Sequence, residues 1–150
     1  IVKGDTAGEP NETINVTLSN PKNATILDGS GVGTIVDNDP PDMSISNASV
    51  TEGDTGSKTM TFTVSLSKPP TATVKAKFAT ADGTATQPAD YLKKSATVSI
   101  GKGKTSATIK VTIKGDKVAE ADEVFVVNLS TPTGVTIVDP LGVGTIVDND

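Results

Sequence analysis

The sequence predicts an all-β fold, an immunoglobulin-like two-sheet Greek-key sandwich of about seven strands. Three observations predict it. Apolar and polar residues alternate with a period of two, turn signals recur about every ten residues, and no long stretch carries a helical period.

The elements follow in order along residues 42–150. A strand-like segment leads into Glu52-Gly53-Asp54. Next, Met60, Phe62, Val64 and Leu66 share one face of Thr59-Met60-Thr61-Phe62-Thr63-Val64-Ser65-Leu66, with Thr and Ser on the other. Val74, Ala76 and Phe78 alternate with Lys75 and Lys77, and Asp82-Gly83 ends that strand. After the turn Gly101-Lys102-Gly103, Thr108-Ile109-Lys110-Val111-Thr112-Ile113-Lys114 repeats the alternation. Val124-Phe125-Val126-Val127 is a continuous apolar run, as expected of a central strand. Thr133-Gly134 turns the chain into the last strand, which ends in Asp148-Asn149-Asp150.

Composition removes whole classes of function. Cys, His and Trp are absent, and all 13 basic residues are Lys. No Ser-His-Asp or Cys-His catalytic set and no ordinary zinc site can be built. Without Arg, and with a net charge of −5, nucleic acid is not an expected partner. Glu120 and Glu123 could be read as a glycosidase carboxylate pair, but aromatics are only 3% of residues and supply no sugar platforms. The expectation is a binding module and not an enzyme. No apolar run approaches the roughly 20 residues that cross a bilayer as a helix. The absence of Cys fits a secreted bacterial repeat protein, so an extracellular or cell-surface location is expected.

An internal repeat organises the chain. Gly31-Val32-Gly33-Thr34-Ile35-Val36-Asp37-Asn38-Asp39 recurs as residues 142–150, at an offset of 111 residues with all nine positions identical. At that offset 21 of the 39 positions in 1–39 match 112–150. The chain starts in mid-pattern, so 1–39 is read as the last third of a preceding unit. Pro40-Pro41 is the linker and 42–150 the complete domain. A lone remnant cannot bury its strands. It is expected to pair with another molecule, lie against the complete domain or exchange strands.

What chemistry remains is carboxylate chemistry. Acids gather at Glu52, at Asp90, along Asp116-Lys117-Val118-Ala119-Glu120-Ala121-Asp122-Glu123, and at Asp148-Asn149-Asp150. Strand ends of a sandwich meet at two poles, so neighbouring strands can bring the last two groupings together. Carboxylates about 4 Å apart repel by roughly 4 kcal/mol per pair at an effective dielectric near 20. A hard divalent cation offsets this, and calcium takes six to eight oxygen ligands. The upstream copy repeats the acids as Asp5, Glu9, Glu12, Asp37 and Asp39, which argues against mere solvated loops.

Thr51-Glu52-Gly53-Asp54, Asp82-Gly83-Thr84-Ala85, Asp90-Tyr91, Glu120-Ala121-Asp122-Glu123 and the closing Gly-Thr-Ile-Val-Asp-Asn-Asp together resemble the Calx-β domain family. The resemblance spans 42–150 and, as the end of a preceding copy, 1–39. It implies calcium held at one end of the sandwich by Glu52, Asp90, Asp116, Glu120, Glu123, Asp148 and Asp150, with the Val118 carbonyl as a further ligand. Asp5, Glu9, Glu12, Asp37 and Asp39 would form a partial upstream site. Lys117 and Asn149 stand where the calcium sensors of the family carry acids, which implies one or two ions rather than four. The family occurs in sodium–calcium exchangers and in bacterial surface and secreted proteins. Two roles follow as expectations. One is a calcium-stiffened structural or adhesion module of a tandem-repeat surface protein, whose partners are calcium, neighbouring repeats and a surface protein or glycan. The other is a regulatory calcium sensor attached to a membrane transporter.

Overall fold

β-branched and aromatic residues fit a pleated surface with one buried face, and the alternating segments accordingly become strands. The computed structural model describes residues 1–150. The chain contains no helix, and its strands run in the order β1 (Glu12–Thr17), β2 (Ser30–Ile35), β3 (Asp42–Ile45), β4 (Ala48–Thr51), β5 (Ser57–Leu66) and β6 (Val74–Asp82). They continue with β7 (Ser95–Ile100), β8 (Ser106–Lys114), β9 (Glu123–Thr133), β10 (Thr136–Asp139) and β11 (Leu141–Val147). One sheet has the order β10-β3-β5-β8 and the facing sheet β4-β11-β9-β6-β7.

The sandwich thus holds nine segments where the sequence predicts about seven strands. The difference lies in two broken strands. β3 and β4 are halves of one strand interrupted at Ser46 and Asn47, and each half joins a different sheet. β10 and β11 are likewise divided at Pro140, which has no N–H to give a ladder. Parallel pairing of β10 with β3 and of β11 with β4 closes the two rims of the sandwich.

The core follows the alternation in the sequence. Met60, Phe62 and Val64 of β5 face Phe125 and Val127 of β9, with Ile109, Val111 and Ile113 of β8 completing the layer. β9 lies between β11 and β6, the central position its apolar run predicts. Tyr91 is fully buried and stacks on Phe125 with ring centroids 4.4 Å apart, while Phe62 meets the edge of the same ring. Its hydroxyl donates to Asp82 Oδ1, and burial pushes the phenol up to about 12. Tyr91 is therefore a packing residue.

β1 and β2 form a separate two-stranded hairpin whose residues are nearly all exposed. Of the three arrangements expected of 1–39, lying against the complete domain is not found. Its contacts with the sandwich are confined to the joint. Ser67 Oγ donates to the Gly8 carbonyl at 2.7 Å, Lys68 forms an ion pair with Asp37, and Gly8 is buried against Pro40 and Pro41. The hairpin loop carries nothing that reaches back over the sandwich edge.

Candidate metal centre

Six strand ends converge at the pole opposite the Pro40-Pro41 linker. The ladders fix this: Ser57 lies opposite Lys114, Asp82 opposite Phe125, Glu123 opposite Ile146, and Thr51 opposite Val147. The loops that leave these ends carry the acids.

Backbone contacts set each acid in place. Glu52 N donates to the Val147 carbonyl, which holds Glu52 against the end of β11. Gly53 has φ +86°, open to glycine at little strain, and its N–H donates to Asn149 Oδ1 at 2.6 Å. Asn149 Nδ2 in turn donates to Asp54 Oδ1 at 2.9 Å. Gly115 passes so near that a Cβ there would stand 1.8 Å from the Gly53 carbonyl oxygen. The end of β8 is thereby pressed against the Glu52 loop, and Asp116 follows directly. Asp122 Oδ1 accepts from Asp148 N at 3.2 Å, joining the approach to β9 to the end of β11.

A second set of contacts positions Asp90. Val124 N donates to Thr84 Oγ1 at 2.8 Å, and Ala85 N donates to the Val124 carbonyl at 2.9 Å. Thr86 N donates to Asp90 Oδ2 at 2.7 Å, and Lys114 N to the Asp90 carbonyl at 2.9 Å. The turn is pinned between β8 and the start of β9, which brings Asp90 to Glu123.

Two carboxylate groups result. Glu52, Asp148 and Asp150 form one, and Asp90, Glu120 and Glu123 the other. Within each, ligand oxygens lie within 4.8 Å of one another. That matches the spread of oxygens around one calcium, about 5 Å across for Ca–O distances of 2.3–2.6 Å. Six of the seven acids read from the sequence as the main site are thus brought together. Asp116 stands outside both groups, with its Oδ1 accepting from Val118 N at 2.8 Å. Val118 itself is exposed. The upstream acids form no such group: Asp37 accepts from Glu9 N and pairs with Lys68 instead.

The electrostatics record what the grouping costs. Glu52 is buried, only 6% exposed, and its carboxyl is pushed from 4.5 to about 7. Desolvation is the main cause, followed by the charges of Asp116 and Asp148. Glu123 is raised by desolvation and then by Asp90 and Glu120. Exposed Asp150 is raised as well, by desolvation and then by Asp54, Asp148 and Asp116, with Lys117 opposing. Asp148 Oδ1 is buried with no hydrogen-bond partner. A lone orphaned carboxylate oxygen among other carboxylates is costly in protein and well placed for a cation. The donor set is all oxygen, which selects calcium or magnesium over zinc or copper.

Sequence reasoning missed three residues. Asp82 holds Tyr91, Asp122 ties two loops together, and Asn149 clasps the Glu52 loop. For Asn149 the signal was present, since Asn38 repeats it upstream. Its reading as a gap among acids missed its use as both donor and acceptor.

The sequence model of the Calx-beta domain matches residues 36–150. The chain belongs to the Calx-beta domain family. Curated protein sequences give no match. Among solved structures, the Calx-beta chain is similar to CBD12 from CALX1.2, with a TM-score of 0.66 and 23% identity. That match covers 73% of this chain and 46% of CBD12. The Calx CBD1 domain in its apo form gives a TM-score of 0.64 at 22% identity, over 75% of this chain and 100% of that domain. A third, titled a calcium binding domain, is CBD12 of CALX1.1, with a TM-score of 0.64 and 24% identity over 72% and 46% of the two chains. This chain spans less than half the length of either CBD12 structure. At these identities the likeness shows the fold.

Proposed function

We propose that the chain is a calcium-binding, non-enzymatic module that holds ions at two adjacent positions of its acidic pole. Glu52, Asp148 and Asp150 serve one position, and Asp90, Glu120 and Glu123 the other. The observation that carries this reading is the buried, unpartnered Asp148 Oδ1 facing a buried Glu52 whose carboxyl is driven up to about 7. Bound calcium would supply positive charge that Lys117 alone does not provide at this pole. The chain's part is to gather six carboxylates at one pole, with the Glu52 and Asp90 loops pinned by backbone hydrogen bonds, so that less reorganisation accompanies binding.

The setting is a tandem array in a surface or secreted protein, with adhesion or spacing as its role. The 111-residue repeat and the Thr-rich, Cys-free composition support this. In such an array the acidic pole adjoins the next linker, as Asp37 and Asp39 adjoin Pro40-Pro41. Calcium there would order the loops and stiffen the joint. A second reading, a regulatory sensor attached to a transporter, is supported by the likeness to tandem CBD12 structures. The flanking sequence separates the two: further repeats favour the first, transmembrane helices the second.

Isothermal titration of the chelator-stripped chain with calcium tests the reading, with magnesium as control. Heat that saturates near two ions per chain is expected, and Asp148→Asn should remove one. Absence of heat, together with an unchanged unfolding temperature at millimolar calcium, would overturn it.

A further inference from the structure

Charge is unevenly spread along the sequence. Residues 55–115 hold 10 of the 13 lysines but only 2 of the 18 acids, Asp82 and Asp90. The fold gathers part of this excess on one surface. The strands of the five-stranded sheet carry only four charged side chains, and two of them, Asp82 and Glu123, stand at strand ends on the acidic pole. The other two are Lys75 and Lys77, exposed on the outer face of β6. At the linker end of β7, the turn to β8 adds Lys102 and Lys104. At the rim, Lys94 Nζ donates to the Lys110 carbonyl at 2.6 Å. None of these ammonium groups pairs with a carboxylate, since the chain's one ion pair is Lys68 with Asp37.

Two features set this surface apart from the usual lysine guard of a sheet edge. Such a guard stands on the edge strand. The edge strand here is β7, Ser95-Ala96-Thr97-Val98-Ser99-Ile100, which carries no charge, and Lys75 and Lys77 stand one strand in. The lysines are also set in rows. Lys77 lies between Thr97 of β7 and Ser130 of β9, and Lys75 between Ser99 and Thr133. Each row offers hydroxyl, ammonium, hydroxyl, and two residues of strand put the rows about 7 Å apart. Around the Lys77 row, the small residues Ala79, Ser95 and Ala96 leave an open groove of about 340 Å³.

We propose that this face is a docking surface for an acidic polysaccharide, a chain of sugars that bear carboxylates. The ammonium groups meet the carboxylates, the Ser and Thr hydroxyls bond to sugar hydroxyls, and the open groove lets the polymer run on past the site. The acidic pole does not forbid this. Lys77 is five residues of strand from Asp82, about 17 Å, which is roughly twice the screening length of about 8 Å at physiological salt. Other polyanions fit less well. The face exposes no aromatic ring on which a base could stack and has no Arg fork for phosphate. β6, β7 and β9 expose no large apolar side chain to enter a lipid surface. The proposal deepens the adhesion role given above and rests on it for where such a polymer is met, but it requires neither bound calcium nor a neighbouring repeat.

The test titrates the 150-residue chain, in chelator, with oligogalacturonate and follows backbone amide shifts by nuclear magnetic resonance. Saturable shifts confined to β6, β7, β9 and the 101–105 turn are expected, with binding that weakens steeply as salt rises. The double variant Lys75→Gln, Lys77→Gln should bind about 25-fold more weakly, at about 5-fold per lysine beside an anionic surface, and should unfold at the parent temperature. Lys3→Gln with Lys22→Gln removes the same charge elsewhere and should leave binding unchanged. Equal weakening by both pairs would overturn the proposal, because net charge alone would then be at work. So would the absence of shifts at low salt, or equal affinity for duplex DNA or for polyglutamate, which carries the carboxylates without the sugar hydroxyls. Calcium titration of the same variants reports on the metal pole by itself, so either reading can fail without the other.

Discussion

Replacing Glu52 by Gln should stabilise the metal-free chain at pH 8 and abolish its response to calcium. Glu52 is buried, and its carboxyl titrates at about 7 in the fold against 4.5 as its ordinary value. The folded state therefore binds the proton more tightly than the unfolded chain between those pH values. Stability is greatest below pH 4.5 as far as this group is concerned, and falls as pH rises to about 7. At 1.36 kcal/mol per pH unit the interval amounts to about 3 kcal/mol. In a domain of this length that corresponds to about 10 °C of unfolding temperature. Gln keeps the shape and removes the charge. Thermal unfolding in chelator at pH 5 and pH 8 should show a marked fall for the parent and a smaller one for E52Q. In millimolar calcium the order should invert, because the parent gains a bound ion and the variant does not. If E52Q lowers the unfolding temperature equally at both pH values in chelator, Glu52 carries no unfavourable charge and the reasoning fails.

Three further outcomes follow from the same geometry. Asn149→Ala frees Gly53 and Asp54 from the end of β11 and should weaken calcium binding by roughly 10–100-fold, as loss of a partner outside the ligand set does, measured by titration calorimetry. Gly115→Ala drives a methyl into the Gly53 carbonyl and should destabilise the chain by about 1–3 kcal/mol in urea unfolding, with weaker calcium binding beside it. Tyr91→Phe keeps the stack on Phe125 but loses the bond to Asp82, so about 1.5–3 kcal/mol of stability should go without loss of the fold, seen as a lower urea midpoint with an intact circular dichroism spectrum.

Much of this was legible in the sequence because period-two alternation reports burial directly. Met60, Phe62 and Val64 were placed on the inner face by pattern alone, and that is where they lie. The broken strands left a mark that the reading did not use: the inward positions change phase at each break, from Met43 and Ile45 to Ala48 and Val50, and from Ile137 to Gly142, Gly144 and Ile146. The acids could be found by type and repetition, and six of them meet. Their division into two groups depends on contacts between distant segments. Gly115 against Gly53, Thr84 against Val124 and Asp122 against Asp148 leave no mark in local spacing. For the remnant 1–39 three arrangements were expected, pairing with another molecule, lying against the complete domain or exchanging strands; the second is not seen, because the complete sandwich already has its closing hairpin.

The arrangement also explains why so acidic a pole does not unravel the sandwich. Two of the loops that carry ligands are fastened by backbone bonds to strands of the core: Glu52 to Val147, Ala85 to Val124, and Asp90 to Lys114. Burial there, and then repulsion among the carboxylates, raises the proton affinity of Glu52 and Glu123. The same fastening ties the two groups to each other. Glu120 belongs to one and raises Glu52 in the other, and Asp116 acts on both Glu52 and Asp150. A positive charge in either group lowers the proton affinity of the other. Protons and calcium thus compete for one coupled pole, and the fold that holds the acids together is also what makes them respond as a unit.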